Sequence, residues 1–274
     1  MQNILKLVFL FDFETFFINL KKEGVCVVME CKVFAVKDIR DNSEIVESMF
    51  LLMKKYYENM KKDKFLMDLY DKNDVFLIFE SDELKGFSTI KKMELNIENG
   101  KDSEKKRIAG FFSGDTIIEK GFSWGIEFQK EWIKYCLLES EKNMKNGVKT
   151  YWFLISKGIK TYMYLPTYFK NFCPKAGYTE SEMEKKIKDI YAEKIYKSRY
   201  CKENGIVKND GTNDFLRENV VVLSEKQLKN KNIQFFLEKN PNYQKGDELV
   251  CLAKISFDNL TNLGKRVLKE ISLL

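Results

Sequence analysis

Residues 107–118, RIAGFFSGDTII, form an apolar run that predicts a buried strand, and EKGFSWG (residues 119–125) follows it with Gly121 and Gly125. The amphipathic stretch after Gly125 predicts a helix to about residue 146, and YWFLI (residues 151–155) predicts a second buried strand. Glycines just before a helix let the backbone approach a ligand and point N–H groups at phosphate oxygens. This order of elements indicates a phosphate-binding turn, although an ordinary strand-to-helix turn also uses glycine.

The chain before this segment predicts a strand, a helix and a hairpin. Residues 33–39 form a short apolar run, and an acidic cap at residues 41–44 precedes a helix whose apolar residues recur every three or four positions. Residues 74–80 and 84–90 predict antiparallel strands joined by a short turn. The polar residues 96–106 predict a solvated loop.

The chain after the second strand is rich in helix signals. Residues 160–172 carry five aromatic side chains around Pro166, which predicts a kink or the start of a helix. A cap at residues 179–182 predicts a helix to about residue 198. The remaining elements predicted are a loop over residues 204–219, a helix over 224–239, a strand over 248–257 and a terminal helix.

The composition is that of an ordinary globular domain. With 274 residues, 44% apolar and 14% aromatic, the chain predicts one large or two small domains with a sizeable core. Its 47 basic and 41 acidic residues give a net charge of +6 and are mixed along the chain. This modest charge, without a recognised DNA- or RNA-binding motif, argues against a nucleic-acid partner. It suits anionic partners such as a phosphorylated cofactor or an acidic carrier protein.

The chain contains no histidine, which excludes zinc sites that need imidazole, Ser-His-Asp triads and Cys-His dyads. We expect no metal site. Proton transfer then depends on carboxylate, tyrosine, lysine, thiol, the chain terminus or water. The six cysteines contain no CxxC pair and predict reduced, mostly buried thiols in a cytoplasmic protein: Cys26, Cys31, Cys136, Cys173, Cys201 and Cys251.

Residues 1–32 are interpreted as an amino-terminal extension. The apolar run at residues 4–11 is followed by Asp12 and Glu14, so it predicts neither a signal peptide nor a transmembrane segment. We expect a strand or helix that packs on the main domain. A second hypothesis places the natural translation start at Met29.

The order of these elements resembles the GNAT superfamily of N-acyltransferases, over roughly residues 33–178. Three phrases also resemble a bacterial group of GNAT-like proteins whose reaction is not settled: SGDT (residues 113–116), YWFLISKG (residues 151–158) and NPNYQKGDEL (residues 240–249). The resemblance implies an α/β fold, a mixed, mostly antiparallel sheet flanked by helices, with its core at residues 33–180. Residues 181–274 are expected to add a helix, a strand and a helix to the same domain.

In that superfamily, the glycine turn after the central strand holds the pyrophosphate of coenzyme A. The resemblance assigns this role to Lys120, Gly121, Phe122, Ser123, Trp124, Gly125 and Ile126, and it implies acyl-CoA as the donor. The aromatic residues of this turn depart from the usual basic or glutamine-containing pattern. Superfamily members that take acyl chains from acyl carrier protein relax the same turn. An acyl-phosphopantetheine on a carrier protein is therefore the alternative donor.

The resemblance also implies a wedge between two central strands, where an amide polarises the thioester carbonyl, and an acid and a base beside it. It places the acid, which protonates the leaving thiolate, at Tyr168, with Tyr164 as the second choice; a plain core role is the alternative for each. For the base we choose Asp115, near the end of an apolar strand where burial raises a carboxyl pKa, with a turn or helix-capping role as its alternative. Catalysis by proximity, with water taking the proton, stays open.

Three further charged residues are weaker candidates. Asp247 and Glu248 start the late strand and could reach the acceptor, but solvated strand-end carboxylates are the favoured interpretation. Lys157 could meet a phosphate or an acidic carrier, or it could simply be solvated.

Acyl transfer from a thioester to the amine of a small-molecule or lipid-like acceptor is therefore the favoured function. Aromatic side chains near the expected donor channel suit an acyl group longer than acetyl: Phe111, Phe112, Phe122, Trp124, Trp152 and Tyr164. The alternative is a GNAT-shaped binding or regulatory protein without turnover. A third hypothesis, a structural partner protein without a ligand, predicts a large exposed apolar patch.

Overall fold

The computed structural model describes residues 29–57, 60–98, 105–119, 126–209 and 224–269. The strands are β1 (Met29–Ala35), β2 (Asp74–Glu80), β3 (Glu83–Glu98), β4 (Lys105–Ile118), β5 (Lys149–Ser156), β6 (Tyr200–Cys201), β7 (Ile206–Val207) and β8 (Glu248–Lys254). Within the described residues they form one sheet in the order β1-β2-β3-β4-β5-β8-β7-β6. Neighbouring strands are antiparallel except β4 and β5, which are parallel. The predicted mixed, mostly antiparallel sheet is confirmed.

The helices are α1 (Val36–Ile39), α2 (Ser43–Tyr56), α3 (Lys62–Tyr70), α4 (Ile126–Lys145), α5 (Ile159–Tyr168), α6 (Glu182–Tyr196), α7 (Glu225–Leu228), α8 (Lys231–Lys239) and α9 (Asn262–Lys269). Helix α2 begins after Asn42, whose side chain accepts a hydrogen bond from the Ile45 amide. Helix α6 begins with a reciprocal capping box between Ser181 and Glu184. Among the described residues, no helix is both long and apolar enough to cross a bilayer.

The first half of the chain departs from the sequence predictions in two places. Residues 36–39, predicted as the end of a strand, form helix α1, in which Val36 and Ile39 are buried at a helical spacing of three residues. Helix α3 was not predicted, because only Phe65 and Leu69 of its residues are buried and its apolar pattern is correspondingly weak.

Later elements depart from the predictions as well, including β7 (Ile206–Val207), which lies inside the loop predicted over residues 204–219. Strand β3 continues to Glu98 and β4 starts at Lys105, so both strands reach into the loop predicted over residues 96–106. The helix predicted over residues 224–239 is two helices, because the Asn230 side chain caps α8 separately.

Helices cover both faces of the sheet. One face, termed the α4 face, carries α4, α5, α8 and α9 over a core that includes Phe111 and Trp152. The opposite face, termed the α6 face, carries α2 and α3 over Phe87 and Ile117, and α6 over Ile108. Strand β5 and residues 108–111 of β4 are therefore buried on both sides, as their apolar runs indicate.

The carboxy-terminal part of the chain extends the same sheet. Strand β8 pairs with β5 from Tyr151↔Lys254 to Ser156↔Leu249, and β7 pairs with β8 in turn. Residues 1–28 of the expected amino-terminal extension lie outside the described residues.

Candidate functional site

The parallel strands β4 and β5 separate in the middle of the sheet. Their pairing ends at Phe112↔Phe153. Beyond this point β4 continues to pair with β3, and β5 continues to pair with β8. In the described parts of both strands, a wedge therefore opens between residues 113–118 and 154–156. It opens towards the end of the sheet from which the chain enters α4 and α5.

Trp152 closes the narrow end of the wedge. Its indole N–H donates to the Ser113 hydroxyl across 2.8 Å, which bridges the two strands where their backbone pairing stops. Its ring packs against Trp132 of α4 with ring centroids 4.5 Å apart. Trp152 and Phe111, expected beside the donor channel, are buried members of the α4-face core.

Strand β4 contains a β-bulge beside the wedge. The register with β3 shifts between Ser88 and Ile90, so Gly114 and Asp115 share the single partner position Thr89. The Thr89 hydroxyl lies 3.4 Å from the Asp115 carbonyl oxygen at this bulge. An extra residue of this kind bends a strand and re-aims the side chains that follow it.

The bulge decides which face of the sheet Asp115 occupies. Phe111 belongs to the α4-face core, whereas Ile117 belongs to the α6-face core under α2 and α3. Both positions are odd-numbered, so an unbroken strand would place them on one face. Because alternation resumes after the bulge, Asp115 lies on the α6 face with Ile117.

Asp115 belongs to a cluster of polar groups on the α6 face. Burial raises the pKa of the Tyr196 phenol at the end of α6, and the carboxylates of Glu248, Asp68 and Asp115 raise it further, while Arg199 lowers it. The Arg199 guanidinium lies 5.7 Å from the centre of the Tyr196 ring. Charged groups from α3, β4, the turn after α6 and β8 therefore lie near enough to this phenol to act on it electrostatically.

Two of the carboxylates that act on Tyr196 also form ion pairs, and a glycine lies beside one of the lysines. The Lys72 ammonium lies 2.6 Å from a carboxylate oxygen of Asp68, and the Lys157 ammonium lies 3.3 Å from Glu248. The buried side chain of Lys72 crosses the bulge, where a Cβ on Gly114 would come within 2.5 Å of its Cε. Glycine at position 114 therefore lets the end of α3 approach β4.

The favoured interpretation of Asp247 and Glu248 as solvated strand ends is wrong. Only 7% of Asp247 and 4% of Glu248 is exposed. Asp247 accepts hydrogen bonds from the Lys208 ammonium at 2.6 Å and the Asn209 amide at 3.1 Å, while Glu248 faces the cluster around Tyr196. The two short strands β6 and β7 cover the start of β8, a contact that depends on the sheet order.

On the α4 face, helix α4 begins at Ile126, directly after the turn expected to bind pyrophosphate. Lys120, Gly121, Phe122, Ser123, Trp124 and Gly125 of that turn lie outside the described residues. The start of a 20-residue helix carries a partial positive charge and amide donors that favour an anion.

The two candidate acids lie on α5, which follows β5. Tyr168 is 3% exposed, and its hydroxyl donates to the side-chain oxygen of Gln129 in the first turn of α4. Tyr164 is half-buried one turn earlier, and the two rings stack with their centroids 6.3 Å apart. Burial raises the pKa of both phenols, so both stay protonated at neutral pH.

A separate polar cleft of about 390 Å³ lies beside the start of β2. Its charged lining consists of Lys37, Arg40, Lys72, Asp74 and Lys92. Lys72 and Lys92 already form ion pairs inside the protein, Lys72 with Asp68 and Lys92 with Asp74. Among the described residues, no group of three or more acidic or cysteine side chains is arranged to hold a metal ion.

Three of the solved structures to which this chain is similar are the following. A probable N-acyltransferase from Enterococcus faecalis has a TM-score of 0.36 and 15% identity, and the alignment covers 61% of this chain and 44% of that one. Aminoglycoside N-acetyltransferase AAC(6')-Iy in complex with CoA has a TM-score of 0.29 and 16% identity, covering 47% and 77%. The AHL synthase LasI has a TM-score of 0.31 and 10% identity, covering 54% and 81%.

The chain thus spans less than half the length of the first of these structures. No family model matches the sequence, and the search of curated proteins gave no match.

Sequence reasoning selected Asp115, but it missed Asp68, Tyr196 and Arg199 beside it. Asp68 lies on α3, a helix that the sequence pattern does not predict. Tyr196 lies at the end of a predicted helix, where its aromatic ring looks like any other buried residue of an amphipathic face. The fold brings these positions together from distant parts of the chain, so no local sequence motif links them.

Proposed function

We propose that the protein transfers an acyl group from a thioester donor to an amine, with the donor lying in the wedge between β4 and β5. The observation that carries this proposal is the end of strand pairing at Phe112 and Phe153. Backbone amides that no longer pair across the gap are donors for the thioester carbonyl oxygen, whose negative charge grows in the transition state. Helices α4 and α5 both begin at the open end, so their amide ends favour the donor's phosphates there.

Acyl-CoA is the first donor to test, with its pyrophosphate at residues 120–126 before and at the start of α4. An acyl-phosphopantetheine on an acyl carrier protein is the second donor. The net charge of +6 supports both, because both donors are anionic.

For the amine acceptor, we propose the α6 side of the wedge and Asp115 as the base. A primary amine is protonated at neutral pH, so it needs a carboxylate both to attract it and to receive its proton. Asp115 lies beside the end of pairing, on the face where Asp68 and Glu248 add two further carboxylates. This arrangement suits a small-molecule or lipid-like amine.

For the acid, Tyr164 and Tyr168 remain the candidates. Their raised pKa keeps each phenol protonated before the reaction, and it also makes each a weaker acid towards the leaving thiolate. Tyr168 already donates its hydroxyl to Gln129 in the core, which supports a structural role for it. Tyr164 lies one turn nearer the start of α5 and therefore nearer the open end of the wedge.

The alternative function is a GNAT-shaped binding or regulatory protein without turnover. The hydrogen bond from Tyr168 to Gln129 favours this alternative. The Tyr168 hydroxyl must break that bond before it can donate its proton to a thiolate. Under this alternative the wedge binds a thioester and no thiol is released.

The decisive experiment measures donor binding and turnover on the same protein. Acetyl-, medium-chain and long-chain acyl-CoA are added to the purified chain in thermal-shift assays, and released thiol is followed with a panel of primary amines. A donor at 100 times its Kd stabilises the native state by about 2.7 kcal/mol, which raises the Tm by several degrees. Unacylated CoA and a carrier protein bearing the acyl chain are run in parallel.

Hydrogen exchange then tests the position of the donor. Binding in the wedge slows exchange in peptides covering residues 113–118 and 154–158, while the β2–β3 hairpin, residues 76–88, serves as the internal control. A Tm shift with no protection of the wedge peptides contradicts the proposed position. Binding with wedge protection but no thiol release supports the regulatory alternative.

A further inference from the structure

The polar cleft beside the start of β2 takes no part in the proposed reaction. It has a volume of about 390 Å³ and lies between the end of β1, helix α1 and the loop that joins α3 to β2. The Val36 amide donates to the Asn73 carbonyl oxygen across 2.9 Å, and the Asn73 side-chain oxygen accepts from the Lys92 amide across 2.6 Å. These hydrogen bonds hold the walls of the cleft together, and its volume suits a small-molecule ligand.

The lining of the cleft carries more positive than negative charge. Its charged side chains are one carboxylate and four cations: Asp74, Lys37, Arg40, Lys72 and Lys92. Lys72 pairs with Asp68 at 2.6 Å, and Lys92 pairs with Asp74 at 3.1 Å and with Glu139 at 2.9 Å. Carboxylates of the protein therefore already neutralise Lys72 and Lys92.

Lys37 and Arg40 supply the positive charge that remains. In the part of the chain that the structure describes, neither side chain forms an ion pair with a carboxylate. Asp71, on the neighbouring loop, pairs instead with Lys91 at 2.6 Å. The two cations are three residues apart, and Arg40 keeps helical dihedral angles (φ −54°, ψ −38°), so they lie on the same side of α1.

The Arg40 guanidinium is oriented by an aromatic ring. Its central carbon lies 4.5 Å from the centre of the Tyr70 ring, which also lines the cleft. Contact with a ring face restricts the guanidinium but leaves the N–H donors in its plane able to bind an anion. Arg40 is therefore better prepared for a ligand than an unsupported surface arginine.

We propose that this cleft binds a small molecule through a phosphate group held between Lys37 and Arg40. A guanidinium donates two parallel N–H bonds to phosphate oxygens, and an ammonium adds a further charge-assisted hydrogen bond. A phosphate group has enough oxygen atoms to accept from both side chains at once. The site is separate from the wedge between β4 and β5, so the inference does not depend on acyl transfer.

The test is isothermal titration calorimetry of the purified full chain with inorganic phosphate and with pyrophosphate, at an ionic strength held constant with chloride. The double variant Lys37→Gln/Arg40→Gln removes both cations from the cleft. The control, Lys54→Gln/Lys185→Gln, removes the same charge from exposed positions on α2 and α6. We expect the Kd to rise at least about tenfold in the cleft variant and to stay within about twofold in the control.

Two further variants make the result independent of the double variant. Arg40→Lys, which keeps the charge but loses the guanidinium fork, should weaken binding by an intermediate factor. Lys37→Gln alone changes one exposed side chain and should raise the Kd at least about threefold, which decides the question if the double variant does not fold.

No binding of either anion, an equal loss in the cleft variant and its control, or unchanged binding in the cleft variant overturns the inference. If acyl-CoA raises the Tm and is turned over while the cleft binds neither anion, the inference fails and the proposed function stands. If anion binding depends on Lys37 and Arg40 while no acyl donor binds or turns over, the cleft site stands and the proposed function fails.

Discussion

The two faces of the sheet differ most where β4 and β5 separate. On the α4 face the polar side chains at the wedge are neutral and hydrogen-bonded: Trp152 donates to Ser113, and Tyr168 donates to Gln129. On the α6 face the side chains are charged: Asp68, Asp115, Arg199 and Glu248 act electrostatically on the Tyr196 phenol, and Lys72 pairs with Asp68. A thioester is neutral, whereas an amine acceptor is cationic before it reacts. We infer that the thioester donor binds on the α4 side of the wedge and the amine acceptor on the α6 side.

The β-bulge in β4 determines which of the two faces the Asp115 side chain occupies. Its residues, Gly114 and Asp115, follow Ser113 just after Phe112, the last residue of β4 that pairs with β5, and it turns Asp115 away from the face of Phe111. A strand without the extra residue would put the carboxylate among the core side chains of the α4 face. The difference between the faces can therefore be tested one side chain at a time.

The largest effect is expected from Asp115→Asn. If Asp115 receives the amine proton, its loss should lower turnover by roughly 100-fold or more while the Tm shift caused by the donor stays unchanged. Released thiol measures turnover, and Asp63→Asn, an exposed carboxylate on α3, is the matched control. Turnover that survives Asp115→Asn would instead support transfer by proximity, with water taking the proton.

Gly110→Ala should weaken the closed part of the β4–β5 pair rather than the wedge. Gly110 pairs with Tyr151, and a Cβ at this position would overlap the buried hydroxyl of Tyr191 on α6. Overpacking of this kind costs about 2 kcal/mol, measured by chemical denaturation.

Tyr191→Phe provides the counterpart to Gly110→Ala. The Tyr191 hydroxyl is buried and has no hydrogen-bond partner among the described residues, so its removal should leave stability unchanged or raise it by about 1 kcal/mol. Lower stability in Tyr191→Phe would show that the hydroxyl has a partner in solution, such as a buried water.

Substitution of the two tyrosines of α5 distinguishes a catalytic acid from a core residue. Tyr164→Phe or Tyr168→Phe should lower turnover at least about tenfold, with donor affinity nearly intact, for whichever residue protonates the thiolate. The defect should shrink with an aryl thioester, whose leaving group needs no proton. A defect that is equal for both donors indicates a structural role. For Tyr168 that role is expected to cost about 1–3 kcal/mol of stability, because Gln129 loses its partner.

Sequence patterns predict the elements that depend on local signals. The apolar run of residues 74–80 is strand β2 with the predicted bounds, and the Ser181–Glu184 capping box starts α6 near the predicted position. The strands before and after the glycine turn and α4 are also correctly predicted, because β5 is an apolar run buried on both faces and β4 has an apolar run at residues 108–112.

The features that form the candidate site depend on strand register and strand order rather than on local sequence signals. The bulge at Gly114 and Asp115 is a property of how β4 pairs with β3, and parity counted along β4 alone would put Asp115 on the wrong face. Likewise, Glu248 acts on the Tyr196 phenol from β8, and the place of β8 beside β5 is set by the sheet order. Tertiary order of this kind leaves no periodic signal in the chain.

The smallest effect is expected from Glu119→Gln, at the end of β4 beyond the wedge. Glu119 pairs with Lys55 of α2 and with Lys85 of β3, and the hydrogen bond from Lys55, followed by that from Lys85, lowers the Glu119 pKa. A lowered carboxyl pKa adds stability above the ordinary value of about 4.3, and that stability is lost as the pH falls through the folded-state pKa. The variant should therefore lose about 0.5 kcal/mol at pH 7, measured by chemical denaturation, and nothing at about pH 3. Glu83→Gln, a more exposed partner of Lys85, is the control. An equal loss of stability at both pH values would mean that Glu119 stabilises the end of the strand by packing. Charge on the α6 face would then matter only around Tyr196.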